Sequence, residues 1–160
     1  MRRSSLIFGG ACGGVPGHET RTKLEAAVCA EMARQELPHE HRTLHYRVRM
    51  KSGKVAKYDP AIVVRCGPIL FLVEPCLSLG GPVERATRFL DQHSPEIVMA
   101  VVAPRRIAAK LPPESYDELY EEGDVPRLVQ RIREQDPRGV IRPFAKRRQS
   151  AASGTSSRPS

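Results

Sequence analysis

Two almost uninterrupted apolar runs constrain the fold of this chain more than any other feature. They read ILFLVEP at residues 69–75 and EIVMAVVAP at residues 96–104. Runs of this length without polar alternation are typical of strands whose two faces are both covered. Between them, GGPVERATRFLDQH at residues 80–93 has helical spacing and a proline at a suitable first position. A helix between two strands predicts that the strands are parallel and joined by a right-handed crossover.

The segments around these runs predict further helices and strands. Residues 17–37 place apolar side chains at helical spacing, and residues 43–50 alternate as a half-buried strand. A lysine-containing turn leads into a second strand, expected to bend near Asp59, and a Gly-Pro turn then leads into the central strand. Residues 112–123 and 124–137 predict two short helices. We therefore expect an α/β fold with a mixed central sheet, antiparallel hairpins plus one parallel crossover strand, flanked by helices.

Composition divides the chain into three parts. Residues 1–16 form a glycine-rich leader that we expect to be flexible, residues 17–143 a single α/β domain, and residues 144–160 a basic, serine-rich tail expected to be disordered. The net charge of +8 comes mostly from the two ends, which carry six of the 26 basic side chains and none of the 18 acidic ones. The net charge alone therefore does not predict nucleic-acid binding.

Hydropathy and cysteine spacing favour a cytoplasmic protein. No apolar run approaches the roughly 20 residues of a membrane-spanning helix, and the N-terminal apolar stretch is too short for a secretory signal. The four cysteines are scattered, without a CxxC pair. We therefore expect reduced thiols and no contact with a membrane.

Two carboxylates mark the strands of the Gly-Pro hairpin, Asp59 before the first and Glu74 at the end of the second. A turn centred on Gly67 and Pro68 brings these carboxylates to within one or two residues of facing each other. Side chains directly opposite on neighbouring strands lie roughly 5 Å apart, which is close enough for two carboxylates to share a divalent cation. The alternative is that both are ordinary charges at strand ends.

This arrangement resembles the PD-(D/E)XK nuclease superfamily, which has the restriction-endonuclease-like fold. The resemblance covers residues 17–103 and rests on a helix with a glutamate, a hairpin with YDP (58–60) and EPC (74–76), then a helix and a strand. It implies that Asp59 and Glu74 bind Mg²⁺ or Mn²⁺. It also implies a magnesium-dependent phosphodiesterase, a nuclease-like protein that acts on or binds nucleic acid.

The motif departs from the family at its last position, where Cys76 replaces the lysine that acts on the attacking water. The predicted register places Lys57 next to Cys76, so the Lys57 ammonium is one candidate for that role. The other interpretation is a catalytically inactive relative that binds nucleic acid or a protein. Glu25 fits the third carboxylate better than Glu19, because at about 100° per residue it borders the apolar face of the helix. The alternative is a partly exposed helix glutamate.

A cluster of basic residues leads into this hairpin. RVRMKSGKVAK at residues 47–57 holds five basic side chains and no acidic one. Arg47, Arg49, Lys51 and Lys54 are the candidate contacts to a nucleic-acid backbone, which attracts cations through charge and not through sequence. The alternative is an ordinary solvated hairpin. Nucleic acid is the expected partner, and the sequence is also compatible with a homodimer.

Two further patterns suggest other sites. The glycine-rich FGGACGGVPGHET at residues 8–20 suggests a nucleotide-binding loop, but it lacks the Gly-Lys-Ser/Thr ending of a P-loop, so a nucleotide-binding protein is the weaker alternative. His39, His41 and His45 could hold zinc or copper. Since no cysteine lies near them in the sequence, we expect a solvated strand entry instead.

Overall fold

The computed structural model describes residues 17–65, 67–93 and 96–134. Within these ranges the chain forms four α-helices, seven strands and two 3₁₀ turns. In chain order they are α1 (Lys23–Arg34), β1 (Glu40–His41), β2 (Tyr46–Arg49), β3 (Val55–Tyr58), β4 (Ile62–Val64), β5 (Leu70–Pro75), α2 (Gly81–Gln92), β6 (Ile97–Ala103), α3 (Arg105–Ala108), a 3₁₀ turn (Pro113–Ser115), β7 (Glu118–Glu121), a second 3₁₀ turn (Glu122–Asp124) and α4 (Val125–Glu134).

Five of these strands form one sheet, in the order β1, β4, β5, β6, β7. The pairs from β1 to β5 are antiparallel, whereas the pairs from β5 to β7 are parallel. The strand β5 is therefore central, as its apolar sequence predicts, and α2 connects it to the parallel strand β6. The prediction of an α/β fold with a mixed sheet is confirmed.

Side chains of the central strands alternate between two apolar layers. Val98, Ala100 and Val102 of β6 pack with residues of α1 and α4, while Met99 and Val101 pack with residues of α2. Because both faces of the strand are covered, its sequence shows no polar alternation. Each large apolar side chain buried in these layers contributes roughly 1.5–3 kcal/mol of hydrophobic stabilisation. The two layers therefore hold the sheet between the helices.

The strands β2 and β3 form a separate two-stranded ribbon and are not part of the five-stranded sheet. Their register pairs Tyr46 with Tyr58. The ribbon packs on α2 through Tyr46, whose ring centroid lies 4.9 Å from that of Phe89. The expectation that all the antiparallel strands belong to one sheet is therefore wrong. The chain leaves the ribbon at Pro60, which has no N–H to donate to a continuing ladder.

Three local predictions also differ from the structure. Residues 112–123, predicted as a helix, form a 3₁₀ turn and β7, because the edge of β6 offers backbone partners that outweigh local helical preference. The helix predicted over residues 17–37 begins later, where the Thr22 hydroxyl oxygen caps it by accepting the Glu25 N–H at 3.0 Å. The short strand β1 has no counterpart in the prediction.

Several predictions fall on parts of the chain that the structure does not describe. The leader at residues 1–16 and the tail at residues 144–160 lie outside the described residues, as do Cys12 and Cys66. The nucleotide-binding loop lies mostly within the leader, so it stays a prediction, as do the domain limits. Across the described ranges, no helix combines the length and the apolar character that crossing a bilayer requires.

Candidate functional site

A cleft of about 330 Å³ lies where β5 ends and β4 begins. Three carboxylates border it: Glu25 from α1, Asp59 from the link between β3 and β4, and Glu74 from β5. Its walls also include cationic and aromatic side chains, namely Arg21, Arg42, Lys57, Tyr58 and Arg85. The four residues predicted as catalytic from the sequence thus border one cleft, although they come from three separate segments.

Glu74 is held at the end of β5 by two hydrogen-bond donors. Its Oε2 accepts the Tyr58 hydroxyl at 2.6 Å and the Ala61 N–H at 2.9 Å. Burial raises the pKa of Glu74 to about 7, and these two hydrogen bonds offset the rise only in part. The negative charge of Glu25 adds to the rise in pKa. The carboxyl group therefore changes its protonation state near neutral pH, which is typical of carboxylates at functional sites.

Asp59 lies in a more exposed part of the cleft, beside one histidine and one lysine. The His45 Nδ1 is 2.9 Å from Oδ1, and the Lys57 Nζ is 3.8 Å from Oδ2. The hydrogen bond from His45 lowers the pKa of Asp59, and the charge of Lys57 lowers it further. Asp59 is thus an anion at neutral pH, whereas Glu74 is partly protonated.

The hairpin register places these two carboxylates two residues apart along the strands. The strands β4 and β5 pair Ile62 with Val73, and one further step puts Glu74 level with Ala61. Asp59 lies two residues before Ala61, so the offset between the two carboxylates is two residues, the larger of the two values predicted. The two carboxylates consequently enter the cleft from different positions, each with its own hydrogen-bond partners.

Lys57 and Cys76 do not form the cross-strand pair expected from the sequence. Lys57 pairs with Arg47 within the ribbon, because the ribbon leaves the sheet, and 72% of its side chain is exposed. Cys76 donates its N–H to Val102 O at 2.8 Å and its S–H to Ser78 O at 3.2 Å. It lines a neighbouring, mostly apolar pocket of about 210 Å³. Burial raises the pKa of the Cys76 thiol, so this position, where the sequence resemblance implies a lysine, carries no charge at neutral pH.

Glu25 is the most deeply buried of the three carboxylates, with 1% of its surface exposed. The Arg42 guanidinium lies 2.5 Å from Oε1 and 2.9 Å from Oε2. The His41 Nδ1 lies 2.8 Å from Oε2, and the Arg21 N–H lies 3.1 Å from Oε1. Burial opposes ionisation, but the hydrogen bonds from His41, Arg42 and Arg21 lower the pKa of Glu25 to about 2. The partly exposed helix glutamate considered from the sequence is instead a buried, fully paired anion.

His41 connects Glu25 to a second group of side chains, which we call the histidine cluster: His18, Cys29, His39 and His41. Cys29 Sγ lies 3.2 Å from His39 Nε2 and 3.5 Å from His18 Nδ1. His41 Nε2 lies 3.1 Å from His18 Nδ1. One ligand atom from each residue lies within 4.8 Å of all the others. Such a group of nitrogen and sulfur atoms can hold a metal ion.

The sequence prediction of a solvated strand entry missed this cluster. The structure replaces His45, which contacts Asp59, with Cys29 and His18. The available signal was the His-x-His pair at positions 39 and 41, because alternate residues of a strand point to the same side. Cys29 precedes that pair by ten residues and meets it only when α1 packs beside β1. The cluster therefore forms through packing and not through proximity in the sequence.

The four residues predicted to contact nucleic acid, Arg47, Arg49, Lys51 and Lys54, are all exposed on the ribbon or its turn. Arg49 Nη1 donates to Gly53 O at 3.3 Å. Among the described residues, none of the four forms an ion pair. They form a cationic surface on the same ribbon whose Lys57 borders the cleft.

Comparisons with known proteins assign no family to this chain. No family model matches its sequence, and no curated protein or solved structure matches it. The features of this chain that bear on its function are the cleft, the ribbon and the histidine cluster.

Proposed function

We propose that this protein is a metal-dependent, nuclease-like phosphodiesterase with a restriction-endonuclease-like fold, acting on nucleic acid. The observation that carries the proposal is the cleft that Asp59, Glu74 and Glu25 share with several basic side chains. The order of the elements supports it as well. The helix α1, the β4–β5 hairpin, α2 and the parallel strand β6 follow the order that the PD-(D/E)XK resemblance implies.

Asp59 and Glu74 are the residues that would hold Mg²⁺ or Mn²⁺. These cations prefer oxygen ligands and are usually bound by one or two carboxylates together with water and substrate phosphate. Because Tyr58 and Ala61 both donate to Oε2 of Glu74, Oε1 is the atom offered to a cation. When bound, the ion would neutralise charge on the phosphate and make a bound water more acidic.

The cationic side chains of the cleft suit a phosphate group. Arg85 of α2 borders the cleft and forms no ion pair with any described residue. A guanidinium can donate two parallel hydrogen bonds to phosphate oxygens. Arg42, by contrast, is occupied by Glu25. The basic ribbon leads away from the cleft through Lys57, so it can hold further phosphates of the same backbone.

A catalytically inactive relative that binds nucleic acid or a protein is the second candidate. Two observations favour it: the exposed side chain of Lys57, and the neutral, half-buried Cys76 at the position of the motif lysine. In this case the cleft and the ribbon would bind a phosphate backbone without cleaving it.

A cleavage assay separates the two candidates. The protein is incubated with end-labelled single-stranded and double-stranded DNA and RNA in Mg²⁺, Mn²⁺ or EDTA. We expect cleavage that EDTA abolishes and that Glu74→Ala or Asp59→Asn reduces on the order of 100-fold, as for the loss of one charge-stabilising group. Glu122→Ala is the matched control, since Glu122 is exposed and does not line the cleft.

The outcomes of this assay are distinct. Equal background cleavage by the wild type and by Glu74→Ala would reject the enzyme. Binding of nucleic acid that persists in EDTA and in Glu74→Ala, without cleavage, would support the inactive relative.

A further inference from the structure

We propose that the histidine cluster binds one Zn²⁺ through His18 Nδ1, Cys29 Sγ, His39 Nε2 and His41 Nε2. This site is separate from the carboxylates proposed to hold magnesium, and it does not depend on nuclease activity. Zinc binds imidazole nitrogen and thiolate sulfur, in structural sites almost always with four ligands in tetrahedral geometry. The cluster offers three such nitrogens and one sulfur.

The spacing of these atoms fits a tetrahedral ion. Zinc bonds of roughly 2.0–2.1 Å to nitrogen and 2.3 Å to sulfur place neighbouring ligand atoms roughly 3.3–3.6 Å apart. The cluster has 3.1 Å between the His41 and His18 nitrogens, and 3.2 Å and 3.5 Å from Cys29 Sγ to its two nitrogen neighbours. The other three pairs lie within 4.8 Å, so the imidazole rings must rotate to bring their nitrogens onto one ion.

In two of these histidines, the ring nitrogen that is not a proposed zinc ligand lies within hydrogen-bond distance of an acceptor oxygen, as in most zinc-binding histidines. His39 Nδ1 lies 2.9 Å from Leu37 O, which can only accept, so Nδ1 carries the proton and Nε2 presents its lone pair to the cluster. His41 Nδ1 lies 2.8 Å from Glu25 Oε2. Carbonyl and carboxylate partners of this kind orient the ring and strengthen the ligand nitrogen.

Hydrogen bonds alone account for the pairs of atoms but not for their convergence. Contacts of Cys29 with His39 and His18, and of His18 with His41, link the four residues in a chain. Such a chain does not require its two ends, His39 and His41, to approach each other. The structure instead brings all four ligand atoms within 4.8 Å of one another. The three rings are also mutual neighbours, with centroids 4.6–5.2 Å apart. A shared ion explains this convergence.

The site would be structural. Four protein ligands leave no position for water, and Cys29 is fully buried. Its ligands come from the segment before α1, from α1 itself, and from β1 with the residue before it, so one ion ties these three segments together. It also fixes His41, and through His41 it positions Glu25 at the wall of the cleft.

Metal titration of the full chain tests the site. Protein stripped with a chelator is titrated with Zn²⁺ and, separately, with Co²⁺, whose absorption spectrum reports tetrahedral thiolate coordination. We expect one Zn²⁺ per chain and a Co²⁺ spectrum with a thiolate charge-transfer band that Zn²⁺ removes. Cys29→Ser should abolish that band. It should also weaken zinc binding on the order of 100-fold or more, because loss of a ligand costs at least as much as loss of a residue that is only hydrogen-bonded to a ligand.

Matched variants keep the test specific. Cys76→Ser and His93→Asn remove a cysteine and a histidine outside the cluster, and both should bind zinc as the wild type does. If Cys29→Ser does not fold, His18→Asn takes its place, because His18 lies outside the helices and strands. This variant keeps the thiolate and therefore the band, and it should weaken zinc binding through the loss of one ligand. Circular dichroism checks the fold of each variant.

The inference is overturned if the folded wild type takes up no Zn²⁺ at equimolar metal. It is also overturned if folded His18→Asn and Cys29→Ser both bind zinc as tightly as the wild type. Asp59→Asn should leave zinc binding unchanged, so a failure of the proposed nuclease activity and a failure of the zinc site give different results.

Discussion

Glu25 is the residue that touches both the cleft and the histidine cluster. A carboxylate with 1% of its surface exposed is costly to bury unless its charge is matched. Arg42 supplies two contacts to its oxygens, and His41 supplies one. A two-point guanidinium contact fixes the orientation of the carboxylate as well as its charge. Removal of Arg42 would leave a poorly compensated charge in the interior.

This position predicts that Arg42→Ala lowers the free energy of unfolding by about 3 kcal/mol, the cost of breaking a buried ion pair. Arg34→Ala is the matched control, since Arg34 pairs with Glu31 on the exposed side of α1 and its side chain is 67% exposed. The control should lose much less stability than Arg42→Ala, because exposed ion pairs contribute little. Urea unfolding measures both, and equal losses would contradict the burial argument.

The raised pKa of Glu74 predicts that the free energy of unfolding falls as the pH rises. Its pKa is about 7 in the folded protein against 4.5 in the unfolded chain, so the folded state holds the proton more tightly. The stability that this proton provides is complete below pH 4.5, falls as the pH rises toward 7, and is absent above it. The difference is on the order of 3 kcal/mol.

Glu74→Gln tests this prediction because the amide keeps an oxygen for Tyr58 and Ala61 but cannot ionise. In EDTA, the variant should exceed the wild type in free energy of unfolding at pH 8, with a smaller difference at pH 5. Urea unfolding at both pH values gives the free energy of unfolding of each protein at each pH. If the free energies of unfolding of the two proteins changed in parallel with pH, Glu74 would not titrate in this range.

At the scale of elements, the ribbon of β2 and β3 is attached to α2 by one face and leaves the other face charged. Arg88 and Gln92 of α2 both donate to Arg49 O, at 2.9 Å each. Val48 of β2 is fully buried on the face of the ribbon that packs against the protein. Since this attachment uses the backbone and the apolar face, the outward-pointing basic side chains are available to a ligand.

The ribbon predicts that neutralising Arg47 and Lys54 together, as Arg47→Gln with Lys54→Gln, weakens nucleic-acid binding without changing stability. Each lost phosphate contact should also reduce the slope of log K against log salt by about 0.9. Fluorescence anisotropy with a labelled oligonucleotide at several salt concentrations measures both effects.

The control for the ribbon is the pair Arg105→Gln with Arg106→Gln on α3, which removes the same charge from another exposed site. This control should retain the affinity and the salt slope of the wild type. An equal loss in both double variants would assign the binding to net charge and not to the ribbon.

The strand β7 shows where element prediction fails. Residues 112–123 carry many polar side chains and no clear alternation, which favours a helix when the segment is considered alone. In the structure, Val101 pairs with Leu119 and Val102 pairs with Tyr120 along the open edge of β6. The hydrogen bonds offered by that edge depend on a strand formed elsewhere in the chain. Local pattern cannot report them.

At the scale of the whole molecule, the sheet separates two apolar layers, and the histidine cluster lies at the side where α1 meets β1. This region holds β1, a strand of only two residues paired with β4. So short a strand has few hydrogen bonds to maintain its position. An ion bound by His39 and His41 would anchor it to α1 through Cys29, and zinc would then stabilise the molecule as a whole.

Removal of zinc is therefore expected to lower the melting temperature of the wild type. A ligand at 100 times its Kd stabilises by about 2.7 kcal/mol, which corresponds to a shift of roughly 5–11 °C in a chain of this size. Stripping by EDTA should produce this shift in a thermal melt, and Zn²⁺ but not Mg²⁺ should reverse it. His18→Asn should melt at one temperature with or without EDTA, and a shift as large as that of the wild type would contradict the linkage.

The sequence by itself determined the central part of this protein. The two apolar runs and the helix between them required a parallel pair of strands buried on both faces, and Glu74 stood near the end of the first because charge is excluded from such strands. These features follow from local periodicity, which the order of residues records directly. Tertiary structure alone decided the separate ribbon, the strand β7 and the meeting of Cys29 with three histidines. Each depends on contacts between segments that only packing brings together, and their energies do not appear in any one segment of the sequence.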